Sequence, residues 1–522
     1  MNPGPTNPVD TRPGDDTVGD PFVQTQTADA PPPAAPTPVA EVEGAPVNHR
    51  RSWITFAITV VVLAGSTTAM FMPLVPEAIG VAAIVLMLGL IFLRMPIAIA
   101  MLVPALLGMY AMRGERLVES TMTTLAYGQI ANWTLSVVPM FILMGLLLWK
   151  AGLTESLYKA GRYWLGWLPG GLAVGTNLAG SGLAAVSGSS VGTTYALARI
   201  GIPEMLKAGY DKRLAVGAVI VAGLPGQLIP PSIMLVIYAG IAEVPVGPQL
   251  LAGVFPGLLV AVLFTIMIVI FARKWAAVET EHTRAEREKG VTWGMRFQSA
   301  AATWPVPLIM GLIIWGMFSG VFTATEAGAV AALFSLFITV IWQKRNAMRA
   351  IIDASVATVS SVGAIFLMLV GVEALSRMFT LTGISSGFAE LVEAMDLGRV
   401  SFLLMMMVVY IVLGTFMEPL PMMVLTIPIL IPTLASLDIS LLWYGVFAVF
   451  MGELAVVTPP VGILAFIIHT ITKEPEVNQG QKITLNDVFM ACWWFMPMAI
   501  ITTVILILFP EIATWLPSLG DN

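Results

Sequence analysis

Residues 223–232 read GLPGQLIPPS, and they interrupt an apolar run that extends from 213 to 243. A proline inside a helix donates no N–H and frees the carbonyl four residues earlier. Pro230 and Pro231 therefore release the carbonyls of Gly226 and Gln227. Forty residues before Pro230, the apolar stretch 169–206 turns at Ser187-Gly188-Ser189-Ser190. The same pair of features recurs later. The stretch 400–436 turns at Gly414-Thr415-Phe416-Met417-Glu418-Pro419, and the run 440–470 breaks at Val457-Thr458-Pro459-Pro460-Val461-Gly462. Glu418 and Pro459 are 41 residues apart. A hairpin followed by a proline-broken span thus occurs twice at nearly equal spacing.

Composition sets the surroundings. Of 522 residues, 57% are hydrophobic and 11% are charged, and the mean hydropathy is +0.86. Soluble domains carry about 25% charged residues. Long apolar runs recur from 54 to 510, so the chain reads as an all-α polytopic membrane protein. A soluble enzyme, a nucleic-acid binder and a secreted disulfide scaffold are excluded. Cys492 is the single cysteine, and His49, His282 and His469 are far apart. Neither set has the spacing of a structural zinc site. Residues 1–50 hold seven acids, two bases and many prolines. Such a segment buries too little apolar surface to offset its ordering entropy and is expected to be a disordered cytoplasmic tail. An extra transmembrane helix is expected at 51–75, retained rather than cleaved, because a 50-residue segment ahead of it is too long for a signal-peptide n-region.

Charge fixes the expected topology. The other spans are expected at 78–93, 95–112, 133–150, 213–243, 247–272, 301–319, 322–343, 352–374, 440–470 and 486–510. With the N-terminus in the cytoplasm, 22 Lys and Arg residues fall inside and four (Arg113, Arg116, Arg377, Arg399) outside. The positive-inside rule predicts this asymmetry. The threading closes only if 169–206 and 400–436 each return to the side they entered. Hairpin 1 then enters from the cytoplasm and hairpin 2 from outside, so the two units have opposite orientation. That is the footprint of an inverted-repeat secondary transporter. Loop 273–299 is expected to be cytoplasmic, with a short helix at 276–289 that can touch lipid headgroups.

The breaks carry the expected chemistry. Pro459 and Pro460 release the carbonyls of Ala455 and Val456. Carbonyls exposed at bilayer depth are costly unless something fills them. Joined by the hydroxyls of Ser187, Ser189, Ser190, Thr415 and Thr458, they form an oxygen shell suited to Na+. The N-terminal ends of the half-helices offer N–H groups to an anionic substrate. Ionisable residues in or beside the apolar runs are Glu204, Glu326, Asp353, Glu373, Glu418, Glu453 and His469. A charge at the bilayer centre costs about 3 kcal/mol on insertion scales. Glu418, on a hairpin tip, and Glu453, under two turns before the second break, are the candidates for cavity or gate roles. Glu326 and Asp353 are expected to reach the interface. The candidate binding set is therefore Ser187, Gly188, Ser189, Ser190, Gly226, Gln227, Pro230, Pro231, Gly414, Thr415, Met417, Glu418, Glu453, Ala455, Thr458 and Pro459.

At these motifs the chain resembles the large, DctM-like permease subunits of TRAP (tripartite ATP-independent periplasmic) transporters. The resemblance spans about residues 78–515. It rests on VPMFILMG (138–145), LPGGLA (168–173), SGSSV (187–191), IPEMLKAGYD (202–211), LIPPSI (228–233), LAGVFPGLL (251–259), TEAGAVAA (325–332), PILIPTL (428–434) and TPPVG (458–462). It places a permease domain over 76–522 and implies an elevator-type carrier, with the hairpins and broken helices as the moving part. It further implies a separate small DctQ-like membrane subunit, a periplasmic solute-binding protein that delivers an organic anion, and Na+ as the driving ion in a bacterial inner membrane. By match to the family's motifs, the Na+ ligands would come from Ser187–Ser190, Gly226–Pro230, Gly414–Met417 and Ala455–Thr458. No further cofactor is implied. The competing reading is a stand-alone ion-coupled anion carrier with the same hairpin logic. An intramembrane enzyme needs paired acids or a nucleophile–base set at membrane depth, and a channel needs a filter motif. The sequence shows neither.

Overall fold

The computed structural model describes residues 49–131, 133–274, 290–415, 417–459 and 462–520. The expected disordered tail falls outside the described residues apart from its last two, and so does the short helix expected at 276–289. Every described element is a helix, and no strand occurs among the described residues. Four helical stretches are long and apolar enough to cross a membrane: Val246–Lys274, Ala324–Thr382, Pro419–Ser436 and Leu485–Leu508. Two bent pairs raise the number to six. Other apolar helices are shorter, because breaks and tight turns divide the runs that composition alone joins.

Helix His49–Met70 occupies the extra first span. Pro76–Phe92 and Ile97–Arg113 follow, and both pack on the 36-residue helix Ala347–Thr382. Glu115–Ile130 is an additional helix where no span was expected. Val137–Lys150 turns by 69° into Leu153–Leu165. The second piece carries Glu155, Lys159 and Arg162 on one side while Leu153 and Tyr158 are buried on the other. It lies along the body instead of extending the span. Both ends of the expected loop 273–299 lie in helices. One helix runs on to Lys274 and the next begins at Trp293. Thr292 starts the latter by accepting from Met295 N–H at 3.3 Å, as an N-cap does.

The two repeated units are built as follows. Hairpin 1 is Gly171–Ser187 and Ser190–Lys207, joined through Gly188 in the left-handed region at φ 64°. Its first arm, GLAVGTNLAGSGLAAVS, is rich in small residues, so it packs closely on its partner arm, on Leu153–Leu165 and on the first broken span. Small side chains allow this close backbone approach in a membrane setting. The first broken span is Lys212–Val221, a short 3-10 turn at Pro225–Gln227, and Ile233–Ile241, with a cis peptide between Pro230 and Pro231. Hairpin 2 is Arg399–Gly414 and Pro419–Ser436. Its arms are built from Leu, Met, Val and Ile, and they touch each other less than those of hairpin 1. Arg399–Gly414 packs on Leu441–Val457, and Pro419–Ser436 on Ile384–Ala394. The second broken span is Leu441–Val457 and Ile463–Ile471. Every residue from Trp443 to Val457 is buried.

Candidate ion and substrate site

Each hairpin tip sits against the break that follows it in sequence. At the first junction, Gly223 lies so near Ser190 that a Cβ there would be 3.1 Å from Ser190 Cα, and Gly226 abuts the backbone of Ser181 and Ala185. Gln227, 1% exposed, reaches back to the tip. With its amide oxygen turned to the tip, it accepts from the N–H groups of Ser189 at 3.1 Å and Ser190 at 2.7 Å. Ser189 caps the second arm, its Oγ accepting from Gly192 N–H at 3.0 Å. Ser187 Oγ and Thr193 Oγ1 share a hydrogen bond at 3.3 Å. Across the break, Ser232 donates to the Gln227 carbonyl, and its Oγ accepts from Leu235 N–H at 3.1 Å. One serine thereby partners a released carbonyl and starts the next half-helix.

At the second junction Gly414 meets Ala455 so closely that a Cβ on Gly414 would collide with the Ala455 Cβ. Thr415 Oγ1 donates to Val412 O at 2.7 Å. Thr458 Oγ1 donates to Leu454 O at 2.8 Å, and Thr458 N–H donates to Ala455 O at 3.1 Å. Met417 is buried, and Glu418 is exposed at the start of Pro419–Ser436. Glu418 therefore differs in burial from Glu453, its fellow candidate for a gate role.

Two details differ from the expectation. Of the four released carbonyls, Gln227 O and Ala455 O already accept a hydrogen bond within the protein. Each keeps a second lone pair, since a carbonyl oxygen has two. At Ile233–Ile241, a half-helix whose first N–H groups were expected to face an anion, the Leu235 N–H is already held by the Ser232 hydroxyl.

The ionisable residues separate into two groups. Glu204 pairs with Arg162 at 3.2 Å and Lys207 at 3.6 Å, Asp353 with Lys150 at 3.3 Å, and Glu373 with Arg377 at 3.0 Å. Glu326 closes a capping box with Thr323. Glu453, 1% exposed, has no hydrogen-bond partner on either oxygen.

A cavity of about 350 Å³ opens beside the first tip. Ser187, Ser189 and Thr193 supply hydroxyls to its wall, Trp149, Ile142 and Met234 apolar surface, and Ser361 a hydroxyl from the long helix Ala347–Thr382. No basic side chain lines it among the described residues. Trp149, Met234 and Ser361 carried no sequence signal, since each lies in an ordinary apolar helix and only packing brings it to the tip.

The fold is similar to that of two solved membrane transporters. One is the YdaH transporter of Alcanivorax borkumensis, at TM-score 0.52 and 16% identity, covering 76% of this chain and 89% of that one. The other is MtrF of Neisseria gonorrhoeae, described within a class of antimetabolite efflux pumps, at TM-score 0.56 and 10% identity, covering 87% and 97%. Both likenesses are of fold alone, a helical one. Residues 84–512 match the family described as the tripartite ATP-independent periplasmic transporter, DctM component, and the chain belongs to that family. It is 30% identical to the C4-dicarboxylate TRAP transporter large permease protein DctM of Vibrio cholerae, over 83% of this chain and 96% of that protein. It is 28% identical to the sialic acid TRAP transporter large permease protein SiaM of Vibrio cholerae, over 74% and 90%. It is 27% identical to the ectoine TRAP transporter large permease protein TeaC of Halomonas elongata, over 83% and 98%. The family is one of transport permeases rather than enzymes, and its named members carry different substrates.

Proposed function

We propose that this chain is the large permease of a three-component uptake system in a bacterial inner membrane, with its N-terminus in the cytoplasm. A periplasmic solute-binding protein delivers an organic anion, a carboxylate, and a separate small DctQ-like subunit completes the membrane complex. Na+ drives uptake. The observation that carries this reading is the pair of junctions. In a chain of the DctM family, each hairpin tip abuts a helix broken by proline, and each junction carries hydroxyls and main-chain carbonyls.

The donor set suits a hard monovalent cation, because it offers only oxygen and no cysteine or histidine. Ser187, Ser189, Ser190 and Gly226 would hold Na+ at the first junction, Thr415 and Thr458 at the second. The ion would supply positive charge beside a cavity whose described wall has none, and so favour a carboxylate there. The hydroxyls of Ser187, Ser189 and Thr193 orient the substrate, and Trp149 and Ile142 exclude water along its apolar side. The two units act as inverted repeats whose tips and breaks move together against the remaining helices, alternately exposing the cavity to each side.

The test is uptake by proteoliposomes holding the chain, its small subunit and its binding protein. An inward Na+ gradient should drive accumulation, and replacing Na+ by K+ or choline should abolish it. Undiminished accumulation without Na+ would refute the coupling.

A further inference from the structure

Six carboxylates lie in or beside the apolar runs, and five of them are accounted for. Glu204, Asp353 and Glu373 have basic partners, Glu326 caps a helix, and Glu418 is exposed. Glu453 alone among them is buried with neither oxygen hydrogen-bonded. It also stands in an unusual place. Its half-helix, Leu441–Val457, belongs to the second broken span, and Gly452 beside it packs on Pro419 and Met422 of hairpin 2. Yet the hydroxyl that bears on its carboxyl is that of Ser190, at the tip of hairpin 1. Ser190 in turn rests on Gly223 of the first break. Glu453 is therefore the point at which one repeat presents a carboxyl to the hairpin tip of the other.

An unpaired carboxylate in an apolar interior costs several kcal/mol. No Lys, Arg or His pairs with it among the described residues, so the group either carries a proton or meets a cation from outside the chain. We propose that Glu453 is the anionic ligand of a Na+ site formed with the Ser190 hydroxyl where hairpin 1 meets the second broken span. The inference rests on the sodium reading above and adds to it a ligand with full charge, shared between repeats. Such a site couples binding to shape. The cation is held only when the tip of one repeat is docked on the half-helix of the other, so loading favours one arrangement of the two.

The experiment uses the purified full-length chain in detergent. Its thermal stability is followed as Na+ replaces choline at constant ionic strength. Na+ should stabilise the wild type in a saturable way. Glu453→Gln removes the charge while keeping the shape. It should be at least as stable as the wild type without Na+, and should need at least about tenfold more Na+ for half-maximal stabilisation. Ser190→Ala should also weaken the Na+ response, by a smaller factor, and it carries the test should the glutamine variant fail to fold. A Glu453→Gln protein with an unchanged Na+ titration would overturn the site, as would a wild type stabilised by acid and not by Na+. Sodium-driven uptake would then still stand on its own measurement. Loss of sodium dependence in both stability and uptake would remove the coupling reading together with this one.

Discussion

At Gly414 the tip of hairpin 2 lies against Ala455 with no room for a methyl group between them. Both neighbours are buried and sit on helices held by packing along their length. Gly414→Ala therefore has to push the tip away from the break, and overpacking of this kind costs about 1–3 kcal/mol. Ala455→Gly removes the opposing methyl. The double variant Gly414→Ala/Ala455→Gly should recover most of the loss, and thermal unfolding of the four proteins in detergent reads the coupling directly. Additive losses would mean that the contact does not hold the junction. The sequence exposed Gly414 and Ala455 as members of a turn and a break, but not their contact, which depends on how hairpin 2 leans on Leu441–Val457. Glu453 was likewise legible as an acid in an apolar run. That its oxygens lack partners is a property of three elements at once. Gln227 was recognisable only as a polar residue at a break, since nothing local shows that its amide meets the N–H groups of Ser189 and Ser190.

Among the helices, the breaks were the most readable features, because adjacent prolines remove two successive N–H donors, whereas single prolines such as Pro104, Pro203 and Pro497 stay inside helices. What restarts the chain after the first break is Ser232, which caps Ile233–Ile241 and also donates to the Gln227 carbonyl. Ser232→Ala removes the cap and leaves a buried carbonyl one partner short. A lost cap costs about 0.5–2 kcal/mol and an orphaned buried group about 1–3 kcal/mol, so the variant should unfold at clearly lower temperature. Ser232→Thr keeps the hydroxyl and should retain most of the stability, whereas equal losses in both variants would assign the effect to packing. The bent pieces were harder to read. Leu153–Leu165 and Trp293–Ala302 carry charges that made them look like connectors, yet they pack on one another. Trp164 Nε1 donates to Arg296 O at 3.0 Å, and the Trp164 and Phe297 rings meet edge to face at 5.8 Å. A one-sided apolar face on a short charged helix is a weak signal, since three or four residues decide it.

Over the whole molecule, the ion pairs respect the charge threading. Lys150–Asp353, Arg162–Glu204, Arg199–Glu474 at 2.6 Å and the pairing of Lys212 and Arg213 with Asp487 join groups that the threading assigns to one face. Arg377–Glu373 joins groups assigned to the other. Lys212 also donates to the Lys482 carbonyl at 3.0 Å, tying the start of the first broken span to the segment before the last long helix. None of these pairings entered the count of Lys and Arg. They sort the residues into two faces without stating which face meets the cytoplasm. That choice rests on the excess of Lys and Arg on one of them, and it is open to direct measurement. The native Cys492 is buried and should be silent towards a membrane-impermeant thiol reagent. Arg345 and Glu390 are exposed and lie on opposite sides of the threading. In cells with a permeabilised outer membrane and an intact inner membrane, Glu390→Cys should label and Arg345→Cys should label only after the inner membrane is opened. The reverse pattern would invert the orientation of both hairpins. Hairpin 1 would then face the periplasm, and the direction in which each junction opens would exchange between the two repeats.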